Sequence, residues 1–218
     1  AGIDVALGFF PPLFGSAGAC DGTGYDTPAV PMGPLPANAA AITAAFPAAP
    51  FGLGTPTEGG LRGAESYCEA YQKAHPDEQC AVVFATDGQP SSCNTDLPTL
   101  EGVASDGHTQ GVLTFAIGMA GATAGEVDFS FLNAIAKAGG TDCNPTNPGN
   151  EACNIGGGSD LSTALNTIRQ TVTKTTYVTK TSVQTSTLAC EFDLPTPPDG
   201  QEFDQSKVNA VFTSSSGN

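Results

Sequence analysis

The run Ala81-Val82-Val83-Phe84-Ala85 is apolar at every position, and it stops at Thr86-Asp87-Gly88 with Pro90 close behind. A strand with no polar alternation belongs inside a parallel sheet that is covered on both faces. Parallel strands cannot be joined by tight turns, so helices must flank this one in the sequence. The stop carries its own information. An acid beside a glycine at the carboxyl end of such a strand stands where open α/β sheets bind ligands. An Asp-Gly pair also serves simply to turn the chain.

The segments around this strand fit the demand. Ile3–Phe10 reads as a strand ended by Pro11-Pro12, and Asn38–Phe46 as an Ala-rich helix stopped by Pro47. Between them, Cys20–Pro36 reads as loop with one short strand near Tyr25–Val30, kept to an edge by its prolines. Gly54-Thr55-Pro56-Thr57-Glu58 has the form of a capping box: Thr55 as cap, Pro56 opening the helix and Glu58 three residues after the cap. The helix then runs through Leu61, Ala64, Cys68 and Tyr71 to about Ala74. A helix near Leu97–Ser105, a buried strand over Gly111–Gly118 and a helix over Phe129–Ala138 closed by Gly139-Gly140 continue the alternation. The spacing predicts a further helix through Leu161, Leu165 and Ile168, and strands at Leu188–Leu194 and Val208–Phe212. The Thr-rich stretch Thr171–Thr187 suits a long helix by spacing and an extended segment by propensity. The whole reads as an α/β protein with an open, mostly parallel sheet and helices on both faces, over residues 1–187, followed by a short β-rich extension, 188–218.

Acids outnumber bases 22 to 7, a formal net charge of -15. Such a chain repels a polyanionic backbone, which argues against a nucleic-acid partner, and it attracts divalent cations. Seven cysteines are scattered through loops and element ends, with no Cys-x-x-Cys pair and with His75 and His108 far from any paired spacing. That argues against structural zinc and for disulfides in an oxidising compartment. Cys143 and Cys153 bracket a short loop of turn formers and are expected to close a hairpin, and Cys68 and Cys80 are expected to pair likewise. Asp142, Asn144 and Thr146 alternate like calcium-loop ligands, but Asn147 stands where such a loop needs glycine. The odd count leaves one sulfur free, joined to another chain or joined to a residue outside this sequence. No apolar run approaches the length of a membrane span.

Three pieces in order resemble the von Willebrand factor type A domain: Gly54-Thr55-Pro56-Thr57, Thr86-Asp87-Gly88-Gln89-Pro90, and Val112–Gly118 followed by Phe131–Ala136 and Gly139-Gly140-Thr141. The likeness spans about Ile3 to Thr167, and the segment Cys190–Pro195 resembles a feature of the Cys-rich, surface-exposed, myxobacteria-like bacterial versions. The resemblance implies a Rossmann-like sheet in the order 3-2-1-4-5-6. It also implies a metal-ion-dependent adhesion site at the sheet's carboxyl edge, where Mg²⁺ or Ca²⁺ would meet the Thr55 hydroxyl and the Asp87 carboxylate. The family's first strand and its Asp-x-Ser-x-Ser motif have no counterpart here. Thr55 and Asp87 alone supply two ligands, so the chain by itself is expected to bind Mg²⁺ weakly or not at all. By the same resemblance Ile3–Phe10 is the second strand and Ala81–Ala85 the fourth, with the strand between them missing. An upstream segment, or a strand donated by another chain, is expected to fill that gap.

The function this implies is an extracellular or cell-surface binding module with a protein ligand or neighbouring subunit as partner. The alternative is a surface-assembly subunit that uses the fold as a scaffold without metal-dependent binding. A hydrolase would draw on Asp87, on His75 or His108, and on Ser91 or Ser92, but no nucleophile-elbow motif is present and neither histidine lies in a conspicuous one.

Overall fold

The carboxyl end of Ala81–Thr86 is positioned by ladder and helix contacts in the computed structural model, which describes residues 2–11, 20–46, 54–119, 130–147, 149–155 and 161–172. All of these lie in one compact unit. The strands expected at Leu188–Leu194 and Val208–Phe212, and the extension 188–218, lie outside the described residues. In chain order the elements are β1 (Asp4–Leu7), β2 (Val30–Pro34), α1 (Ala39–Ala45), α2 (Thr57–Ala74), β3 (Ala81–Thr86), α3 (Leu97–Thr109), β4 (Leu113–Met119), α4 (Ser130–Ala138), β5 (Cys153–Ile155) and α5 (161–172). The fold is mixed α/β, with five helices among the described residues.

Two sheets form. In the larger, β3, β4 and β5 lie side by side and parallel, Ala81 to Thr86 pairing in unbroken register with Leu113 to Gly118. Its faces follow the two-residue strand period. Val82 and Phe84 of β3 and Ala116 of β4 pack with Leu61, Cys68, Leu100, Val103 and the apolar stripe of α4. Phe115 and Ile117 point the other way and pack with Ala164 and Ile168 of α5. Helices therefore cover both faces at β4, but on the α5 side of β3 Val83 stays exposed, which corrects the expectation that this all-apolar strand is covered on both faces.

The smaller sheet is the antiparallel pair β1–β2, with Asp4 opposite Pro34 and Leu7 opposite Val30. Its prolines keep β2 at an edge, as expected, although the strand lies at Val30–Pro34 rather than Tyr25–Val30. Asn38 explains the shift. Its Nδ2 donates to the carbonyls of Val5 at 2.7 Å and Pro31 at 3.0 Å, tying the ribbon together. Occupied this way, the amide does not cap α1. The ribbon rests on α2: the Met32 N–H donates to the Tyr67 hydroxyl at 3.0 Å, and the glycines of α2 let the neighbouring chain come close. A Cβ on Gly63 would stand 2.6 Å from the Tyr25 carbonyl carbon, and one on Gly60 3.0 Å from Phe10.

Among the described residues, strands β1 and β3 share no ladder, and each pairs on one side only. The loop expected as a hairpin between Cys143 and Cys153 is corrected in its second half. Cys153 opens β5, which runs parallel to β4 opposite Ile117–Met119. Both expected disulfides are present, Cys68–Cys80 and Cys143–Cys153, with Cα atoms 5.4 and 5.3 Å apart. A third, Cys20–Cys93, joins the loop before β2 to the loop after β3.

Candidate functional site

The carboxyl end of β3 meets the amino end of α2, and two loops lock there. Thr55 donates its N–H to Ser91 Oγ at 2.8 Å, and its carbonyl accepts the Ser91 N–H at 3.1 Å. Gly54 makes this junction close. Its φ is +93°, and a Cβ there would collide with Ser92 Oγ. Glu58 braces the same loop from the first turn of α2, accepting from Asn94 N–H at 3.0 Å and from Arg62 Nε at 3.1 Å. The disulfide at Cys93 anchors the far end.

This network overturns the capping-box reading of Thr55 and Glu58. Helix α2 begins at Thr57 after Pro56, with no side-chain cap. Thr55 is held by a residue 36 positions away, which no local pattern signals. Its hydroxyl oxygen lies 3.9 Å from where a Cβ on Gly88 would stand, so Thr55 and the Asp87–Gly88 turn are neighbours. The turn itself is tied by Thr86, whose hydroxyl accepts the Gly88 N–H at 3.3 Å. Asp87 is exposed and Thr55 half-buried. Ser91, weighed above as a nucleophile, spends its hydroxyl on the Thr55 amide. The histidines lie elsewhere. His75 follows α2 and His108 closes α3, so both stand where strands β3 and β4 begin. Six residues of β3 separate that end from Asp87, about 20 Å at a strand's rise.

Thr57 is a residue that sequence reasoning passed over. It is fully buried, and its Oγ1 finds no hydrogen-bond partner among the described residues. The signal was the second threonine of Gly-Thr-Pro-Thr. About two turns further along the helix, Glu65 is also buried, facing β4, where the Thr114 hydroxyl donates to its Oε1 at 3.2 Å. Burial pushes the Glu65 carboxyl up to about 8, with Glu69 adding to the rise and the Thr114 bond and Arg62 opposing it. A cleft of about 140 Å³ opens here, between Asp21, Glu69 and Asp106.

As a metal centre the β3 edge is incomplete. Mg²⁺ takes six oxygens in octahedral array. Thr55 and Asp87 offer a hydroxyl and a carboxylate, and no group of three or more Asp, Glu, His or Cys among the described residues is placed to hold a metal. The residues present do not suffice for the ion. No protein-family model, curated protein or solved structure matches the chain. It is a disulfide-linked mixed α/β domain whose loops converge at the carboxyl end of β3. None of the helices among the described residues is long and apolar enough to cross a membrane.

Proposed function

We propose that this chain is an extracellular binding module of the von Willebrand factor type A kind, with its ligand site at the carboxyl edge of the parallel sheet. The observation that carries the reading is the junction of Thr55 with the Asp87–Gly88 turn, where β3 ends and α2 begins. Three supports stand beside it. The parallel strands β3, β4 and β5, with helices packed on either side of β4, are compatible with the Rossmann-like arrangement such a domain would have. Three disulfides fit an oxidising, extracellular setting. The net charge of -15 suits cation-linked protein contacts rather than nucleic acid.

In this reading Thr55 and Asp87 are part of an oxygen cradle that further donors complete, and the cradle presents an open position to a carboxylate of the partner. The test uses Mn²⁺ as probe, followed by electron paramagnetic resonance of the free ion. The chain is expected to bind one Mn²⁺ weakly, at about the millimolar level of sparse oxygen sites. Asp87→Ala and Thr55→Val are each expected to abolish that binding while circular dichroism stays unchanged. Binding that is indifferent to both substitutions refutes the site. The second reading is a scaffold subunit of a surface assembly, with only Thr55 and Asp87 offered as donors among the described residues. It predicts no Mn²⁺ binding and concentration-dependent self-association in sedimentation.

A further inference from the structure

The cleft between α2 and α3 gathers four carboxyls, those of Asp21, Glu65, Glu69 and Asp106, and one base, Arg62. The base is committed elsewhere, because its Nε donates to Glu58, which does not line the cleft. Among the described residues none of the four acids takes part in an ion pair. A group of surface acids is by itself a solvated rim. The floor sets this one apart. Asp21 and Asp106 are exposed and Glu69 is half-buried, but Glu65 is only 4% exposed.

Only half of the Glu65 carboxyl is satisfied. Oε1 accepts from the Thr114 hydroxyl, while Oε2 accepts no hydrogen bond among the described residues. Oε2 lies beneath Gly107, which lines the same cleft, and a Cβ on Gly107 would stand 2.9 Å from it. Glycine at that position keeps the oxygen open to the cleft. A carboxyl buried without a cation retains its proton, and burial does push this one up to about 8. Val103 adds an apolar wall.

We infer that this cleft is a socket for a lysine side chain of a protein partner, whose ammonium donates to Glu65 Oε2 and is neutralised by Glu69 and Asp106 while its methylenes lie on Val103. Other cations fit less well. No three acids among the described residues are placed to hold a metal. An ammonium, with hydrogen bonds of about 2.9 Å against about 2.1–2.5 Å for metal–oxygen contacts, tolerates wider spacing. A guanidinium fork seeks both oxygens of one carboxylate, and Thr114 already holds one of them. The cleft of about 140 Å³ has the room of roughly four or five waters, enough for the ammonium and its last few methylenes. A free amine of that size makes too few contacts to offset its lost freedom, whereas a lysine fixed in a partner's surface has lost most of that freedom already. The inference uses neither Thr55 nor Asp87, so it can fail while the Mn²⁺ test succeeds, and the reverse.

The experiment is a nuclear magnetic resonance titration of the whole chain with the peptide Ala-Ala-Lys-Ala-Ala, blocked at both ends, read at the amides of Glu65, Gly107 and Thr114. Binding is expected at about the millimolar level. The ammonium pairs with the ionised carboxyl, so binding releases the Glu65 proton, and affinity is expected to rise at least about tenfold from pH 6 to pH 8. Ordinary surface carboxylates are ionised throughout that range, so a merely acidic rim would give a flat profile. Glu65→Gln is expected to lower the affinity at pH 8 at least about tenfold and to flatten the profile. Asp106→Asn, at an exposed position, is expected to keep the fold and the pH profile and to weaken binding about threefold. The same peptide with arginine in place of lysine, and free n-butylamine, are each expected to bind at least about fivefold more weakly. Absence of shifts at the three amides, a flat pH profile, or equal affinity in Glu65→Gln or Asp106→Asn overturns the inference. So does equal affinity for the arginine peptide, or for n-butylamine, which would assign the cleft to a free amine. Binding that appears only when Lys174, Lys180 and Lys207 are changed to glutamine also overturns it, and would give the cleft to the chain's own lysines.

Discussion

Replacing Glu65 by glutamine is expected to remove most of the alkaline sensitivity of this fold. The carboxyl is 4% exposed, sits beneath Gly107 of α3 and accepts a hydrogen bond from Thr114. Burial holds its proton up to about 8, against 4.5 for a free glutamate. Between those values the folded chain binds a proton that the unfolded chain has released. Stability therefore falls as pH rises, at 1.36 kcal/mol for each pH unit. The contribution is complete below about 4.5 and gone above about 8, and over that window it amounts to about 5 kcal/mol. That is comparable to the whole stability of many domains. Arg62 opposes the loss, and Glu69 and Asp106 add to it. Urea midpoints of the wild type and Glu65→Gln, taken at intervals from pH 5 to 9, isolate this residue from the other acids. The midpoints are expected to converge near pH 5 and separate steadily toward pH 8, the variant being the more stable. Parallel profiles would refute the argument, because they would mean that Glu65 ionises in the folded state as freely as in the unfolded one.

Two further substitutions test the junction between the loops. Thr57→Val keeps the shape of a fully buried side chain and removes a hydroxyl that lacks a partner among the described residues, so thermal melting should show it about 1–2 kcal/mol more stable; a loss of stability would mean that the hydroxyl is satisfied. Removing the longest disulfide with Cys20→Ser and Cys93→Ser frees a span of 73 residues and should cost about 4 kcal/mol, against about 3 for the 12-residue span of Cys68–Cys80, and equal losses in denaturant titrations would contradict the chain-entropy account.

Much of this chain was legible without a structure, wherever short-range physics decides. The apolar run of β3 called for a parallel strand, and it pairs in parallel with β4; Val82 and Phe84 pack under the helices of one face, while Val83 on the other face is exposed. Gly139-Gly140 ended α4, and Pro76 followed the end of α2. The pairs Cys68–Cys80 and Cys143–Cys153 close short spans between turn-forming or terminal positions, so their partners were the nearest sulfurs. Glu65 was legible in principle, because Leu61, Glu65 and Cys68 share one helix face at intervals of four and three.

What required the folded chain was every feature set by a partner distant in sequence. Thr55 has the sequence signature of a cap, but its amide and carbonyl go to Ser91, and a long-range pair of hydrogen bonds outweighs a local preference worth about 1 kcal/mol. Cys153–Ile155 is too short to show a strand period, and it is a strand because β4 offers it backbone partners. Cys20 and Cys93 meet only because the Thr55–Ser91 junction and the ribbon on α2 bring their loops together. The pairing of β3 with β4 follows the same rule. Composition says what a strand can be buried among, while the hydrogen-bonding partner on each of its sides is settled by the rest of the molecule.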